Sequence, residues 1–237
     1  MNINEQLEVN LLIEAGEQTP MGSKRVAVVI GRFNPPTRGH YTVINEVKKF
    51  IRANPKVGLE AYPVVVVIGG SKSDSDKKRN PLSVDDRILF MSSSGLADGV
   101  KFISAKNAFE AFANVRKEGF EPIAIAAGSD RIQDYVKILD KHFKDDSGGD
   151  IKHYGINLTR DEDAVETNKE DKQKAMDSTL DTLKSKNVLP VDQISGSLAR
   201  RAVELGYKDE FAKIVGLDKK PALADKMFGK IADSIKD

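Results

Sequence analysis

Two short runs in the chain are apolar at every position, "VAVVI" at 26–30 and "VVVVI" at 64–68. A strand with one wet face alternates apolar and polar residues, whereas one covered on both faces reads as a continuous apolar run. These two segments therefore predict central strands of a parallel sheet. Around them, shorter apolar runs alternate with stretches whose apolar residues recur every three or four positions, the pattern of strands joined by amphipathic helices. The spacing predicts strands at Arg25–Ile30, Tyr62–Ile68, Val100–Ile103, Pro122–Ala127 and roughly Ile151–Ile156. It predicts helices at Gly39–Ala53, Val84–Ser93, Ala108–Glu118, Arg131–Phe143, Ser197–Leu205, Lys208–Ile214 and Ala222–Ile235. Ser83 followed by Asp86 has the form of a capping box at the start of the second helix. The expected class is α/β: a Rossmann-like parallel sheet of about five strands with helices on both faces.

Some segments fall outside the alternation. Residues 1–22 precede the first strand and read as an N-terminal extension, leaving 23–237 as one domain. Residues 159–187 are densely charged and read as a partly helical insertion, solvated on most sides. Residues 216–237 read as a helical tail. No internal repeat is present.

Composition narrows the function classes. The 37 basic and 36 acidic residues nearly cancel, giving a net charge of +1. No global field exists to recruit nucleic acid or a membrane surface, so any anion site must be local. Cysteine is absent, which rules out disulfides and thiolate metal sites and suits a reducing cytoplasm. The longest apolar runs are too short to cross a bilayer. The N-terminal stretch lacks the basic start and small-residue cleavage site of a secretory signal.

One turn concentrates unusual residues. "GRFNPPTRGH" at 31–40 follows the first strand directly and holds two glycines, two prolines and one of three histidines. In parallel α/β folds ligands bind beyond the carboxyl ends of strands, where strand gives way to helix. Gly31 lets the backbone turn and approach a ligand closely, and Pro35 and Pro36 stiffen the loop in advance. Gly39 and His40 open a helix whose free N–H groups favour an anion, and a histidine there can donate to phosphate oxygens.

Gly31, Phe33, Pro35, Thr37, Gly39 and His40 fall in register with G-x-F-x-P-x-[HT]-x-G-H. The stretch resembles the nucleotidyltransferase superfamily carrying the H-x-G-H or T-x-G-H signature, which includes cytidylyltransferase-like and nicotinamide-nucleotide adenylyltransferase-like proteins. That superfamily has a second signature, I-S-S-T-x-x-R. "ISGSLAR" at 194–200 is similar to it, with glycine for the second serine and Ser197 for threonine. Read on residues alone, Ser195 and Ser197 are N-cap types opening a helix, with Arg200 one turn inside and either solvated or reaching the same anion. Arg201 points elsewhere. "AAGSDR" at 126–131 resembles the family's G-x-D segment, so Gly128 and Asp130 are carried over as acceptor or nucleotide contacts; read alone, Ser129 and Asp130 are a helix cap. "KKRNPLS" at 77–83 resembles the N-P-[LF]-[ST] stretch of several members, and Lys72, Lys77, Lys78 and Arg79 read as loop charges. His142 and His153 lack suitably spaced partners, so neither is assigned to a metal. In overall form the chain resembles nucleotidyltransferases encoded by large tailed phages.

The resemblance implies transfer of a nucleoside monophosphate from a triphosphate, ATP first and CTP second, to a small acceptor bearing a phosphate or hydroxyl, with release of pyrophosphate. His40 and Arg200 are the expected catalytic residues. Gly31, Phe33, Thr37, Gly39, His40, Ser195, Ser197 and Arg200 are the expected nucleotide contacts. Mg²⁺ is expected with the triphosphate and no protein metal site. The competing expectation is a vestigial nucleotide-binding fold serving as a phage prohead or virion internal protein. "LLIEAG" at 11–16 is similar to the cleavage site of phage prohead proteases and places processing at Glu14–Ala15. The expected location is the cytoplasm, of a bacterial host if phage-encoded, or the virion in the competing reading.

Overall fold

The computed structural model describes residues 24–70, 76–143, 153–158, 169–186 and 193–236. The N-terminal extension with its Glu14–Ala15 junction lies outside them, as do Lys72, residues 151–152 of the fifth expected strand, and 159–168 and 187 of the insertion. Along the chain the elements are β1 (Lys24–Gly31), α1 (Arg38–Ala53), β2 (Val64–Ile68), α2 (Val84–Ser93), β3 (Lys101–Ala105) and α3 (Ala108–Lys117). There follow β4 (Phe120–Gly128), α4 (Ser129–His142), β5 (Tyr154–Leu158), α5 (Lys169–Lys186), α6 (Gly196–Glu204), α7 (Lys208–Val215) and α8 (Pro221–Lys236). The chain divides into two compact units, the first containing residues up to 32, 44–70 and 99–158, the second 33–43, 71–98 and 159 onward.

The first unit is the sheet. Its five strands are all parallel, in the order β3-β2-β1-β4-β5, which is the Rossmann-like α/β arrangement. Val26, Val28, Val64, Val66 and Ile125 form one cluster with Ala111, Phe112 and Val115 of α3 and Ile132 and Leu139 of α4. Ala27, Val29, Val65 and Val67 point the other way and are just as buried. Both faces are covered, which is why these runs contain no polar position. Asn107 caps α3, its side chain accepting from the Glu110 N–H at 2.9 Å. His153 Nδ1 lies 2.6 Å from Asp140 Oδ1, tying the approach to β5 to the end of α4, and His142 meets Phe109 edge-on.

The strand order reverses between β1 and β4, the place where open α/β sheets bind ligands. Gly31 and Gly128 end these neighbouring strands, each two residues beyond the pair Val29–Ala126. Asp130 is the second residue of α4.

The second unit is helical. Leu82, Phe90, Leu180, Leu183, Leu198, Phe211, Ile214, Met227 and Ile231 belong to one buried cluster drawn from α2 and the segment just before it, α5, α6, α7 and α8. The charged insertion thus contributes more than a solvated helix: Met176, Leu180 and Leu183 recur at i, i+4 and i+7 on α5 and pack into this cluster. The tail helix α8 is also fastened, with Ser234 Oγ donating to the Pro81 carbonyl at 2.8 Å and Lys230 pairing with Asp86. Leu180→Ala should cost about 2–5 kcal/mol, the usual range for emptying such a site. Denaturant unfolding followed by circular dichroism checks this; a change within a few tenths of a kcal/mol would mean that α5 is merely laid on the surface.

Candidate active site

After Gly31 the chain leaves the sheet, and residues 33–43 belong to the helical unit. Phe33 has a positive φ of 51°, uncommon for a non-glycine residue. Its side chain is only 3% exposed, and that packing holds the strained backbone. The next peptide, Asn34–Pro35, is cis.

Thr37 is the N-cap of α1. Its carbonyl accepts from the His40 N–H at 2.9 Å, and its own N–H donates to His40 Nδ1 at 3.0 Å. The second bond is half of a capping box, with an imidazole in the place usually taken by Glu or Gln. It settles the tautomer. A backbone N–H can only donate, so Nδ1 is the unprotonated nitrogen and the neutral ring carries its proton on Nε2. Thr37 Oγ1 sits 2.9 Å from the same Nδ1, and the Phe33 ring meets the imidazole edge-on at 5.1 Å. Thr37 and Phe33 were expected as direct nucleotide contacts. Thr37 is 1% exposed and Phe33 nearly as buried, and both adjoin the histidine.

Ser195 is the N-cap of α6, its Oγ accepting from the Leu198 N–H at 3.1 Å. The helix therefore begins one residue before the predicted Ser197, which lies inside the first turn. Arg200 spans two partners: Nη1 donates to the Asn34 carbonyl at 2.7 Å and Nη2 to Ser197 Oγ at 3.0 Å. Thus His40 and Arg200, 160 residues apart, are both bonded to the same loop, one at Thr37 and the other at Asn34. Gly196, where the resemblance calls for serine, has a spatial reason: a Cβ there would stand 3.2 Å from the Asn34 carbonyl oxygen and 3.5 Å from Arg200 Nη1. Gly39, between Arg38 and His40, keeps the second helical position free of a side chain.

Asn34 was not singled out by sequence reasoning. Its Nδ2 donates to the Leu82 carbonyl at 3.0 Å and its Oδ1 accepts from the Leu82 N–H at 3.1 Å, as a neighbouring strand would. The "NPLS" segment at 80–83 thus serves the loop through its backbone, while Lys77, Lys78 and Arg79 are exposed. The only sequence signal was an amide wedged between Phe33 and two prolines. Gly31, Gly128 and Asp130 belong to the sheet unit, where the first two close adjacent strands.

The profile of the cytidylyltransferase-like family matches residues 28–202, more than half of the chain and both motif-bearing segments. The chain belongs to this family. A comparison with curated proteins gave no match. Among solved structures, this cytidylyltransferase-like chain is similar to a macrolide-efflux protein from Streptococcus pneumoniae, at 17% identity over 85% of this chain and 58% of that one, with a TM-score of 0.45. It is also similar to tyrosyl-tRNA synthetase from Leishmania major, solved with fisetin, at 11% identity over 98% of this chain and 43% of that one, with a TM-score of 0.41. The chain thus spans less than two thirds of either protein.

Electrostatics separate the two adjacent arginines of the cytidylyltransferase-like chain. Arg201 Nε and Nη2 grip Asp177 of α5 at 2.7 and 3.0 Å, and Nη1 reaches Glu204 at 2.9 Å. Those bonds raise the guanidinium further above its ordinary value and hold the Asp177 carboxyl below 3.8. Arg201 is a strut between α5 and α6. Burial pushes the Tyr41 hydroxyl up to about 12, so the residue after His40 stays neutral. Among the described residues, no three of His, Asp or Glu cluster as metal ligands, and no helix is long and apolar enough to cross a membrane.

Arg201→Met should lower stability by about 1 kcal/mol, since Asp177 is partly wet and screening limits the pair, and the Tm by about 2–4 °C. A carboxyl held below 3.8 stabilises fully above that value and loses its contribution as the pH falls through the folded-state value. Wild-type and variant melts should therefore differ at neutral pH and converge in acid. An equal gap at every pH would mean that packing of the arginine stem, not the ion pair, carries the effect.

Proposed function

We propose that the protein transfers a nucleoside monophosphate, AMP from ATP by first preference and CMP from CTP by second, to a small acceptor bearing a phosphate or hydroxyl. The acceptor oxygen attacks the α-phosphorus, the new P–O bond forms as the α–β bridging bond breaks, and pyrophosphate leaves. No side-chain nucleophile is needed; the protein aligns the reactants and meets the growing negative charge. Mg²⁺ enters as part of the triphosphate substrate, taking its ligands mainly from phosphate oxygens and water.

The observation that carries this reading is the one loop that holds both donors of the site: the neutral His40, oriented by the Thr37 N–H, and the Arg200 guanidinium, bonded to the Asn34 carbonyl. His40, with its proton on Nε2, donates toward the α- and β-phosphates. Arg200, Ser197 and the first N–H groups of α6 hold the departing β- and γ-phosphates. Thr37 and Phe33 act through the imidazole, and Ser195 through the helix start. Gly31 and Gly39 leave room for the backbone to approach the phosphates. Gly128, the last residue of β4, and Asp130, the second residue of α4, are assigned to the acceptor or the nucleoside.

Calorimetric titration with Mg²⁺ and each of the four triphosphates, then with the matching monophosphates, tests the assignment. Triphosphates should bind well and monophosphates poorly, with ATP ahead of CTP. Tight monophosphate binding would move the anchoring from the leaving phosphates to the nucleoside.

A further inference from the structure

The geometry points to Asn34 as a positioning residue that acts through Arg200, an inference resting on the nucleotidyl-transfer reading of the same site. Asn34 is 7% exposed and joins three stretches far apart in sequence. Its side-chain amide makes the paired bonds to Leu82, 48 residues away, and its carbonyl receives Arg200 Nη1, 166 residues away. Leu82 is itself fixed, 1% exposed in the helical core, with the neighbouring Pro81 carbonyl held by Ser234 of α8. The amide therefore transfers the rigidity of that core to the carbonyl that aims the guanidinium. Gly196 permits the approach, since a Cβ there would press on the same carbonyl.

His40 is held differently. Its bond to the Thr37 N–H spans three residues and lies within the first turn of α1, so it does not depend on Leu82. The two halves of the site are thus separable. Disturbing Asn34 disturbs Arg200 and leaves the imidazole oriented.

Asn34→Asp keeps the size and the acceptor but replaces the Nδ2 donor with a carboxylate oxygen facing the Leu82 carbonyl. A displacement of this kind lowers turnover by about 10²-fold. Because Asn34 acts through Arg200, the double variant Asn34→Asp/Arg200→Ala should be no slower than Arg200→Ala alone, whereas Asn34→Asp/His40→Ala should show the product of the two single losses. Lowering the pH should partly restore Asn34→Asp, since a protonated carboxyl can again donate to Leu82. Multiplicative loss with Arg200→Ala, or none beyond His40→Ala, would overturn the inference. Should the aspartate variant fail to fold, Asn34→Ala supports the same comparison without a buried charge. Hydrogen exchange gives a readout independent of turnover: in the variant, residues 80–83 and 195–200 should both lose protection. Loss confined to 80–83 would overturn the inference while nucleotidyl transfer stands. A wild-type protein that releases no pyrophosphate would remove the functional reading and leave the inference to be decided by exchange.

Discussion

His40→Ala should lower turnover about 10²–10³-fold, the scale on which a single preorganised donor to a developing charge acts, with little change in triphosphate affinity. The reason lies in how the ring is held. The Thr37 N–H occupies Nδ1, so the remaining proton sits on Nε2, and the Phe33 ring fixes the plane. Such a donor matters most where negative charge grows during the reaction, and contributes less to ground-state binding. His40→Gln can take up the Thr37 N–H through its amide oxygen, as glutamine does in a capping box, but its flexible amide does not reproduce the position of the imidazole Nε2 donor, so it should recover only a fraction of the rate. Steady-state kinetics with direct triphosphate titration separates the two quantities. Unchanged turnover in His40→Ala would make the histidine a helix cap and nothing more.

Arg200→Lys should weaken triphosphate binding and slow transfer, each by about 10–10²-fold, the worth of a charge-assisted hydrogen bond. An ammonium keeps the charge but loses the planar fork that spans the Asn34 carbonyl and Ser197. The adjacent Arg201→Lys should leave both quantities unchanged, because Arg201 faces Asp177 and Glu204. Its effect belongs in thermal stability. Equal kinetic losses at the two positions would mean that the leaving phosphates are held elsewhere.

What could be read from the sequence followed from local physics. β1 and β2 are continuous apolar runs because both faces of the sheet are covered, and their prediction needed no partner residue. The helix Val84–Ser93 was placed with the right ends because Ser83 caps it, accepting from the Asp86 N–H at 3.1 Å. What escaped was set by distant partners. Asn34 looks like a turn residue until Leu82 and the Arg200 guanidinium stand beside it. The core stripe of α5 is hidden because its apolar residues are few among many charges, and only the cluster of α6, α7 and α8 makes Leu180 and Leu183 interior. At Thr37 the motif gave the position, while the direction of the side chain depends on packing: it is buried, with Oγ1 2.9 Å from the His40 Nδ1.

Nucleotidyl transfer makes a demand that no other phosphate chemistry shares: the α-phosphorus goes to the acceptor and pyrophosphate leaves intact. The most direct measurement incubates the full-length protein with each α-labelled nucleoside triphosphate, Mg²⁺ and a panel of small phosphorylated and hydroxylated acceptors, then follows the label and the released phosphates together. The account predicts label on one acceptor, an equal amount of pyrophosphate, ATP ahead of CTP, and loss of both products in His40→Ala and Arg200→Ala. Release of inorganic phosphate with the label left on a diphosphate would contradict it, and nucleotide binding with no turnover on any acceptor would favour a vestigial fold.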